Sequence, residues 1–464
     1  MNAIIVSALL GVVMMFSGIF TTNKTIIKNI ATVGMLVLLA ANLMEMNNLF
    51  SFDINTHDLI VTQRYGLFFN CIAYGATFIY LVLSGNDITE VGVNVAEYFA
   101  LIFFVLCGVA ILSSFNGLLM LFIGVEILSI PLYILTGSDK RNLKSNEASL
   151  KYFLMGSFST GVMLMGIALM YGATGNFGMV HSNGLRGVVS ATQQPPFLLV
   201  AGIVLLFASM SFKVSAAPFH FWTPDVYDGA PSVFTSFMST IVKAAGMLAF
   251  IRVFENQYTI LGPTWHIIVD FAIVSTLLIG NITAVFQQSV KRMLAYSSIA
   301  QAGFMLFALY ASNTEIAKEG ILLYAAAYSL ATISIFAVLI KLHDYTLDGF
   351  NGLAKKEPVL AFAATVSLLS LSGIPLTAGF FAKYYVLAGA LQAGGALWLI
   401  IVAVLLAAVS VYYYFRVIQA MYFKEGDPQT LPISGGFKAA LIVVAAFIVI
   451  LGVWPSALLS WLYF

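Results

Sequence analysis

Apolar runs of about 20 residues follow one another along almost the whole chain, separated by short breaks rich in polar residues, glycine or proline. A run of this length spans a bilayer as one helix, and only helices and closed barrels satisfy their backbone groups there. With 61% hydrophobic and 9% charged residues among 464, the chain has too little polar surface for a soluble protein. We therefore predict an all-α, polytopic membrane protein with about fourteen transmembrane helices.

The predicted spans leave no room for a soluble domain, because the longest polar segments have only the length of loops. Their predicted limits are 2–20, 29–46, 60–83, 95–113, 116–136, 148–172, 196–220, 232–252, 264–287, 292–311, 317–342, 358–388, 394–421 and 437–460. Proline interrupts the seventh and twelfth runs, so we expect both helices to break. Two broken helices five spans apart have opposite orientation, which is typical of inverted repeats around a site near the midplane.

Basic residues predict the orientation of the chain in the membrane. If the N-terminus is outside, the loops facing inside hold most of the 21 lysines and arginines, such as Lys140 and Lys355. Cytoplasmic loops carry such an excess. The pair Lys291 and Arg292 is expected to anchor this topology. The N-terminus has no basic segment of a signal peptide, so we expect the first run to be a retained span.

Three lysines and one glutamate fall inside predicted spans instead of at their ends: Glu126, Lys213, Lys243 and Lys383. A charge at mid-membrane costs about 2.5–3.5 kcal/mol on insertion scales, so such residues face a bundle interior or a wet cavity. Burial disfavours a charged lysine and a nearby carboxylate favours it. A buried lysine that gains and loses a carboxylate partner can therefore bind and release a proton. We predict a proton relay along these groups.

Each of these groups also has a structural interpretation. Glu126 can serve only as the partner of a buried lysine. Lys243 can extend along its helix toward the outer surface, because a long lysine side chain reaches the interface from several residues inside. Lys383 can be a structural lysine beside the break in the twelfth run.

Three further residues are candidates for the same path. His220 is either a satisfied core histidine or a relay between two of the lysines, because a neutral imidazole both donates and accepts. Lys151, at the start of the sixth run, is either an interfacial anchor or the uptake end of a proton path. Lys341, together with His343, ends the eleventh run and either anchors the helix or closes the path at one surface.

Composition and motifs exclude several other functions. A net charge of +1 with no block of like charges argues against nucleic acid as a partner. Cys71 and Cys107 lie in apolar runs without CxxC spacing and are expected to be core residues. There is no GxGxxG motif after a strand, no P-loop and no HExxH. We expect no flavin, iron–sulfur cluster, NADH or metal in this chain, so any coupled redox reaction occurs elsewhere.

Two long motifs resemble those of the antiporter-like proton-translocating membrane subunits of respiratory complex I and its relatives. They are Phe212-Lys213-x-Ser-x-Ala-Pro218-Phe-His220-x-Trp222-x-Pro224-Asp225-Val-Tyr227-x-Gly229-Ala-Pro231 and Lys291-Arg-Met-Leu-Ala-Tyr-Ser-Ser-Ile-x-Gln-x-Gly303. The similarity covers the fourth to the thirteenth run. It implies an N-terminal three-helix segment (1–90), two inverted five-helix repeats (91–255 and 256–422) and a C-terminal helix (423–464).

The resemblance also implies a function. A proton passes along Glu126, Lys213, Lys243 and Lys383, with the first two acting as a switch, and quinone reduction in partner subunits drives it. In that family NADH, quinone, FMN and iron–sulfur clusters are handled by partners. The partners are other membrane-arm subunits, including sibling antiporter-like subunits, in the lipid bilayer of a bacterial inner membrane, and both termini would be periplasmic.

Two features favour one branch of this family. Lys383 stands where one sibling subunit carries glutamate, and the sequence has no room for a long lateral helix after its fourteenth run. Subunits of multi-subunit sodium/proton antiporters and of membrane-bound hydrogenases use the same core. These complexes are the alternative interpretation, and a purely structural spacer is a third.

Overall fold

The structure is a computed structural model that describes residues 1–178, 196–254, 261–310 and 314–463. Helices follow one another throughout these ranges. The first six are α1 (Asn2–Phe20), α2 (Lys24–Met46), α3 (Arg64–Val91), α4 (Val95–Ser114), α5 (Leu118–Thr136) and α6 (Leu143–Thr174). The next are α7a (Phe197–Val214), α7b (Trp222–Gly229), α8 (Ser232–Phe254), α9 (Pro263–Val285) and α10 (Val290–Met305). The last are α11 (Glu315–Ile340), α12a (Pro358–Ser372), α12b (Ala378–Gln392), α13 (Leu397–Phe423) and α14 (Gly435–Val453).

Every one of the fourteen predicted runs coincides with a helix or a broken pair of helices. Within the described ranges, twelve helices are long and apolar enough to cross a membrane by length and composition. The other two runs correspond to α10, which is short, and to α12, which is interrupted. The prediction of an all-α polytopic membrane protein with broken seventh and twelfth helices is thus confirmed. The inverted relation of the two repeats and the predicted boundaries between segments stay predictions.

Short polar side chains cap several helix starts. Each of these side chains accepts a hydrogen bond from a backbone N–H group in the first turn of its helix, at Asn23, Asn142, Ser289, Thr314 and Ser434. The first N–H groups of a helix have no partner within the helix, so a capping oxygen there stabilises its start by about 1 kcal/mol. These caps explain why the loops between spans are so short.

The helices differ in how far the rest of the chain encloses them. α11 is enclosed on all sides, and α8 and α4 nearly so, whereas α1, α6 and α13 keep most of their side chains at the surface of the bundle. An apolar surface helix of a membrane protein faces lipid or a neighbouring subunit. The polar residues of α8 and α11 therefore lie in the centre of the molecule.

The third helix is longer than predicted. It continues two turns past position 83 to Val91, because the polar residues of this stretch pack against other helices instead of forming a loop. This extension places Asp87 in a helix, where its side chain is only 14% exposed.

Candidate functional site

The break in the seventh helix lies directly after Lys213. α7a ends at Val214, and Ser215 adopts a left-handed conformation with φ 65°. The carbonyl of Phe212 accepts a hydrogen bond at 2.9 Å from the indole Nε1 of Trp222, the first residue of α7b. The side chain of Thr276 in α9 accepts from the N–H of Ala217 at 2.8 Å. The backbone groups freed by the break are thus bound by side chains, as they must be inside a membrane.

Lys213 reaches toward Glu126 but does not contact it. Its Nζ donates a hydrogen bond to the hydroxyl of Ser129, one turn after Glu126 on α5. Glu126 is close enough to act on the lysine electrostatically. Among the described residues, Oε1 of Glu126 is buried without a hydrogen-bond partner. Glu126 and Lys213 thus form an open pair: the two groups interact electrostatically but do not form an ion pair in this structure.

Lys243 lies at the centre of the molecule. It follows a π-helical turn in α8, Met238–Val242, a distortion that is frequent at functional sites. The residue is 2% exposed, and its Nζ donates to both the carbonyl and the hydroxyl of Ser298, each at 2.9 Å. The interpretation in which Lys243 extends to the membrane surface is therefore wrong.

Lys383 binds the break in the twelfth helix. Its Nζ donates to the carbonyls of Leu371 at 3.0 Å and Ser372 at 2.9 Å, which the end of α12a leaves without helical partners. The amine also lies 4.6 Å from the ring centroid of Phe304. Gly373, with φ 85°, forms the turn, and a Cβ atom there would lie 3.3 Å from the lysine Nζ. Lys383 and the break in the twelfth helix thus form one hydrogen-bonded unit.

Helix α10 connects the two buried lysines. Ser298 accepts from Lys243, and one turn later Gln301 donates to the carbonyl of Leu371 at 2.8 Å, which also accepts from Lys383. A cavity of about 10 Å³, room for roughly one water, is lined by Gln301, Tyr328 and Lys383 among others. The hydroxyl of Tyr328 is buried without a hydrogen-bond partner among the described residues. Polar groups of α10 thus lie beside both lysines.

His220 lies in the segment between α7a and α7b and is buried. Its ring packs against Phe221, with centroids 4.7 Å apart. Nδ1 has no hydrogen-bond partner among the described residues, and no described hydrogen bond joins the imidazole to Lys213 or Lys243. Its assignment as a relay between these lysines stays a prediction.

Lys151 belongs to a cluster of charges that holds α7b. Its Nζ lies 2.7 Å from Glu147 and 3.0 Å from Asp225, which also pairs with Arg292 of α10 at 2.9 Å. Burial alone would raise the pKa of Asp225, but hydrogen bonds from Lys151 and Arg292 outweigh it and lower the pKa below its usual value. A cavity of about 160 Å³ adjoins this cluster.

Lys291, near the start of α10, is buried against the end of α7b. It is 4% exposed, and its Nζ donates to the carbonyls of Asp228 at 2.8 Å and Ala230 at 2.6 Å, at the end of α7b. A lysine at a helix C-terminus satisfies carbonyls and complements the helix dipole. Lys291 thus binds the second half of the broken helix, and its role as a topology anchor stays a prediction.

Lys341 forms an ion pair with Asp87 of α3, 2.6 Å apart. Its Nζ also lies 5.1 Å from the ring centroid of Phe437 in α14. His343 is exposed, and among the described residues its only hydrogen bond runs from its backbone N–H to the carbonyl of Gln429. The structure therefore separates these two candidates: Lys341 joins three helices, and the imidazole of His343 does not take part.

Several hydrogen-bonding residues around the lysines were not predicted from the sequence. Ser129, Ser298 and Gln301 are ordinary polar residues within apolar runs, and their partners lie 55 to 84 positions away in sequence. The available signal was position: Ser129 lies one turn from Glu126, and Ser298 lies in the second long motif. Among the described residues, no three His, Cys, Asp or Glu side chains come together to hold a metal ion.

Comparisons with known proteins show the family to which the chain belongs. A family model described as NADH:quinone oxidoreductase/Mrp antiporter, TM, matches residues 116–410. NADH-quinone oxidoreductase subunit N of Cytophaga hutchinsonii is 40% identical over 99% of each chain.

Solved structures show the same fold. A chain of respiratory complex I from Thermus thermophilus with bound aureothin has a TM-score of 0.83 and 30% identity, and the match covers 99% of this chain and 98% of that chain. A chain of the Mrp complex from a Dietzia species has a TM-score of 0.81 at 18% identity, covering 99% of this chain and 95% of that one. At that identity the second likeness concerns the fold alone.

Proposed function

The chain belongs to the NADH:quinone oxidoreductase/Mrp antiporter family and, within it, to the subunit N group, and we propose that it moves protons along Glu126, Lys213, Lys243 and Lys383. Membership makes it a proton-translocating membrane subunit of NADH-quinone oxidoreductase, the respiratory complex I. It is therefore part of an enzyme, works with other membrane-arm subunits, and is a multi-pass membrane protein. Membership also implies that the redox cofactors of the enzyme lie in other subunits.

One observation carries the assignment of the path. In the described residues, the amines of Lys213, Lys243 and Lys383 all donate to uncharged oxygens, either hydroxyls or carbonyls. Lys213 and Lys243 donate to residues in the middle of helices, where no helix end needs a cap. A lysine placed there only for stability would be expected to hold a carboxylate, because an unpaired charge at this depth is costly. An amine held by neutral acceptors can lose its proton and keep its place. This property suits a carrier that is charged and discharged in turn.

The open pair of Glu126 and Lys213 is proposed as the switch. Closing the pair stabilises the lysine as a cation, and opening it favours loss of a proton to the next group, Lys243. Gln301 and the cavity beside Lys383 would then carry the proton onward from Lys243. His220 is proposed as an accessory relay beside the break in the seventh helix.

Lys151 and Lys341 are proposed to act near the membrane surface. Both lie on the side of the molecule that carries most of its basic loop residues, which the positive-inside rule assigns to the cytoplasm. We therefore propose a bacterial inner-membrane location with both termini in the periplasm. Sibling antiporter-like subunits are proposed as neighbours, and FMN and iron–sulfur clusters are proposed to reside in peripheral partners that oxidise NADH and reduce quinone.

Two alternatives are less well supported. A subunit of a sodium/proton antiporter or of a membrane-bound hydrogenase shares the core, but the likeness to the Mrp chain is one of fold at 18% identity. The relative at 40% identity over its full length carries the subunit N name. A purely structural spacer does not explain why Lys213 and Lys243 donate to neutral oxygens in the middle of neighbouring helices.

The substitution Lys213→Ala tests the path. The complete complex carrying this variant should assemble with normal subunit content, yet both NADH-driven proton pumping and coupled quinone reduction should fall together. A loss of about tenfold or more is expected, because a group that transfers a proton contributes roughly 10²–10⁴ to a rate. Measurements on sealed vesicles with an internal pH dye report the pumping directly.

Lys355→Ala is the matched control, since Lys355 is an exposed loop lysine paired with Glu425 at 3.7 Å. It should leave both activities unchanged. Normal pumping by a correctly assembled Lys213→Ala complex would refute the relay role, and pumping that depends on sodium would favour the antiporter alternative.

A further inference from the structure

Asp87 and Lys341 form a buried ion pair that lies outside the chain of lysines described above. The two side chains are 14% and 10% exposed, and the atoms Oδ1 and Nζ are 2.6 Å apart. Asp87 comes from α3, in the N-terminal segment that precedes the match to the family model. Buried charge pairs are costly to keep, and paired carboxylates and amines inside membranes frequently mark ion paths.

The helices on which the pair lies run parallel and in register. At their other ends, the hydroxyl of Tyr65 donates to the carbonyl of Lys318 at 3.3 Å. The ion pair lies 22 residues further along α3 and 23 residues further along α11. A residue of α3 and a residue of α11 that follow these contacts by the same number of positions therefore lie at the same depth in the membrane.

Three hydroxyl groups extend from the ion pair toward the middle of the membrane. On α3, Tyr80, Ser84 and Asp87 have the spacing i, i+4 and i+7, which places them on one face. On α11, Ser334 and Lys341 are also seven residues apart. Tyr80 and Ser334 thus lie at one depth, about 10 Å inside the ion pair at 1.5 Å per residue. We call these five residues the α3/α11 seam.

The hydroxyls of the seam have no partners. Tyr80, Ser84 and Ser334 are 0% exposed, and none of their hydroxyl oxygens has a hydrogen-bond partner among the described residues. Buried polar groups in proteins are nearly always bound by protein or by ordered water. These three hydroxyls are therefore the groups that water molecules would bind along this helix contact.

The seam ends against α8, the helix that carries the central lysine. The ring of Tyr80 stacks on Phe237 of α8, with centroids 5.4 Å apart. The preceding residue, Ser236, carries a further buried hydroxyl without a partner. Lys243 follows seven residues later on the same helix, beyond the π-helical turn.

From these observations we propose that the α3/α11 seam is a water-filled proton inlet, which leads from the basic face of the protein past Asp87 and Lys341 to Lys243. The proposal rests on the proposed function, because it requires Lys243 to accept protons. It gives the N-terminal helices a part in transport.

The transfer requires no group other than water and the side chains of the seam. A hydronium ion at the basic face protonates the Asp87 carboxylate and becomes water, and the neutral carboxylic acid releases Lys341 from the ion pair. The carboxylic acid passes its proton to the first water of the seam, and each oxygen then accepts one proton and gives up another. The last water protonates the neutral Nζ of Lys243. Only O–H and N–H bonds form or break, and Asp87 returns to its charged form.

The substitution Tyr80→Phe in the complete complex tests this inlet, because it removes one hydroxyl and keeps the ring on Phe237. Proton pumping per complex should fall by about three- to tenfold, less than for a lost acid or base because water partly replaces the hydroxyl. The ratio of rates in H₂O and D₂O should rise, since proton uptake becomes limiting. A structural role alone would not change this ratio.

Tyr74→Phe is the matched control. Tyr74 lies on the same helix, is equally buried and has an unpartnered hydroxyl, but it interacts with Cys107 and Glu45, away from the seam. This variant should pump normally with an unchanged isotope ratio. Asp87→Asn should lower pumping at least as much as Tyr80→Phe.

The outcomes separate this inference from the proposed function. If Tyr80→Phe and Asp87→Asn both pump at the unmodified rate while Lys213→Ala does not, the lysine chain stands and the inlet is wrong. If Asp87→Asn does not assemble, Tyr80→Phe alone decides. Equal losses in Tyr80→Phe and Tyr74→Phe would also overturn the proposal, because the effect would then not depend on the seam.

Discussion

At the scale of single residues, the central feature is how each buried amine is held. Lys243 donates to both oxygens of Ser298, and Lys383 donates to two carbonyls at a helix break. Neutral oxygens hold a lysine in either protonation state, whereas a carboxylate strongly favours the cation. The binding geometry therefore makes reversible protonation possible at a depth where a permanent charge would be costly.

The turn at Gly373 offers a test of this view. In Gly373→Ala the new Cβ would lie 3.0 Å from Cδ and 3.3 Å from Nζ of Lys383, so the lysine side chain must shift and its bonds to the carbonyls should weaken. Pumping by the assembled complex should fall by about threefold or more, for the loss of one hydrogen bond to a charged group. Proton movement into vesicles, normalised to the amount of complex, measures the effect.

Gly394→Ala controls for backbone strain. Gly394 has φ 87°, close to the 85° of Gly373, but no atom lies within 4 Å of its added Cβ. Both variants carry a similar strain of about 1 kcal/mol from a left-handed conformation. If Gly394→Ala lowers pumping as much as Gly373→Ala, the displacement of Lys383 is not the cause.

The lysines themselves could be predicted from the sequence, because a charge within an apolar run is conspicuous. The residues that accept hydrogen bonds from these lysines could not be predicted. Ser298 and Ser129 resemble many other serines in membrane helices, and only the packing of α8 on α10 and of α7a on α5 brings them to an amine. Asp87 was missed for another reason: its run was predicted to end at residue 83.

At the scale of elements, the two broken helices differ in how they are held. α7b is bound at Asp225 by Lys151 and Arg292, and at its C-terminal carbonyls by Lys291. These contacts come from α6 and α10, so α7b can move only if its ion pairs and hydrogen bonds with both helices break. Proline in the sequence predicted the breaks, but contacts between residues as far as 74 positions apart could not be predicted from spacing.

Asp225→Asn tests whether these contacts with α7b are needed for proton pumping. Loss of two ion pairs should lower pumping by about two- to fivefold, since each pair at the surface contributes up to roughly 1 kcal/mol. The pKa of Asp225 is lowered from its ordinary 3.8. Its contribution to stability is thus complete above about pH 4 and is lost only as the pH falls through the lowered pKa. The variant should differ from the unmodified complex by the same factor at about pH 6 and pH 8.

The control for this prediction is Asp427→Asn, because Asp427 forms a more exposed pair with Lys356 at 2.7 Å. That variant should pump normally at either pH. A difference between Asp225→Asn and the unmodified complex that disappears between pH 6 and pH 8 would contradict the assignment of a charged Asp225.

At the scale of the whole molecule, the N-terminal helices are not a separate layer. α3 packs directly on α11 and joins it through Asp87 and Lys341 at one end and Tyr65 at the other. Composition and the spacing of apolar runs predicted the number of spans and the class of fold. They gave no indication that a helix from the first 90 residues contacts the centre of the proposed second repeat, because such contacts depend on tertiary packing.

The central proposal is that protons cross the membrane through the lysines of this subunit, driven by redox chemistry in its partners. The most direct measurement is the number of protons moved per NADH oxidised by the complete complex in sealed vesicles, with Lys243 intact or replaced in Lys243→Met. Methionine fills much of the same space without an amine. We predict a clearly lower ratio or a matching loss of NADH oxidation in the variant. An assembled Lys243→Met complex with the unmodified ratio and rate would contradict the account.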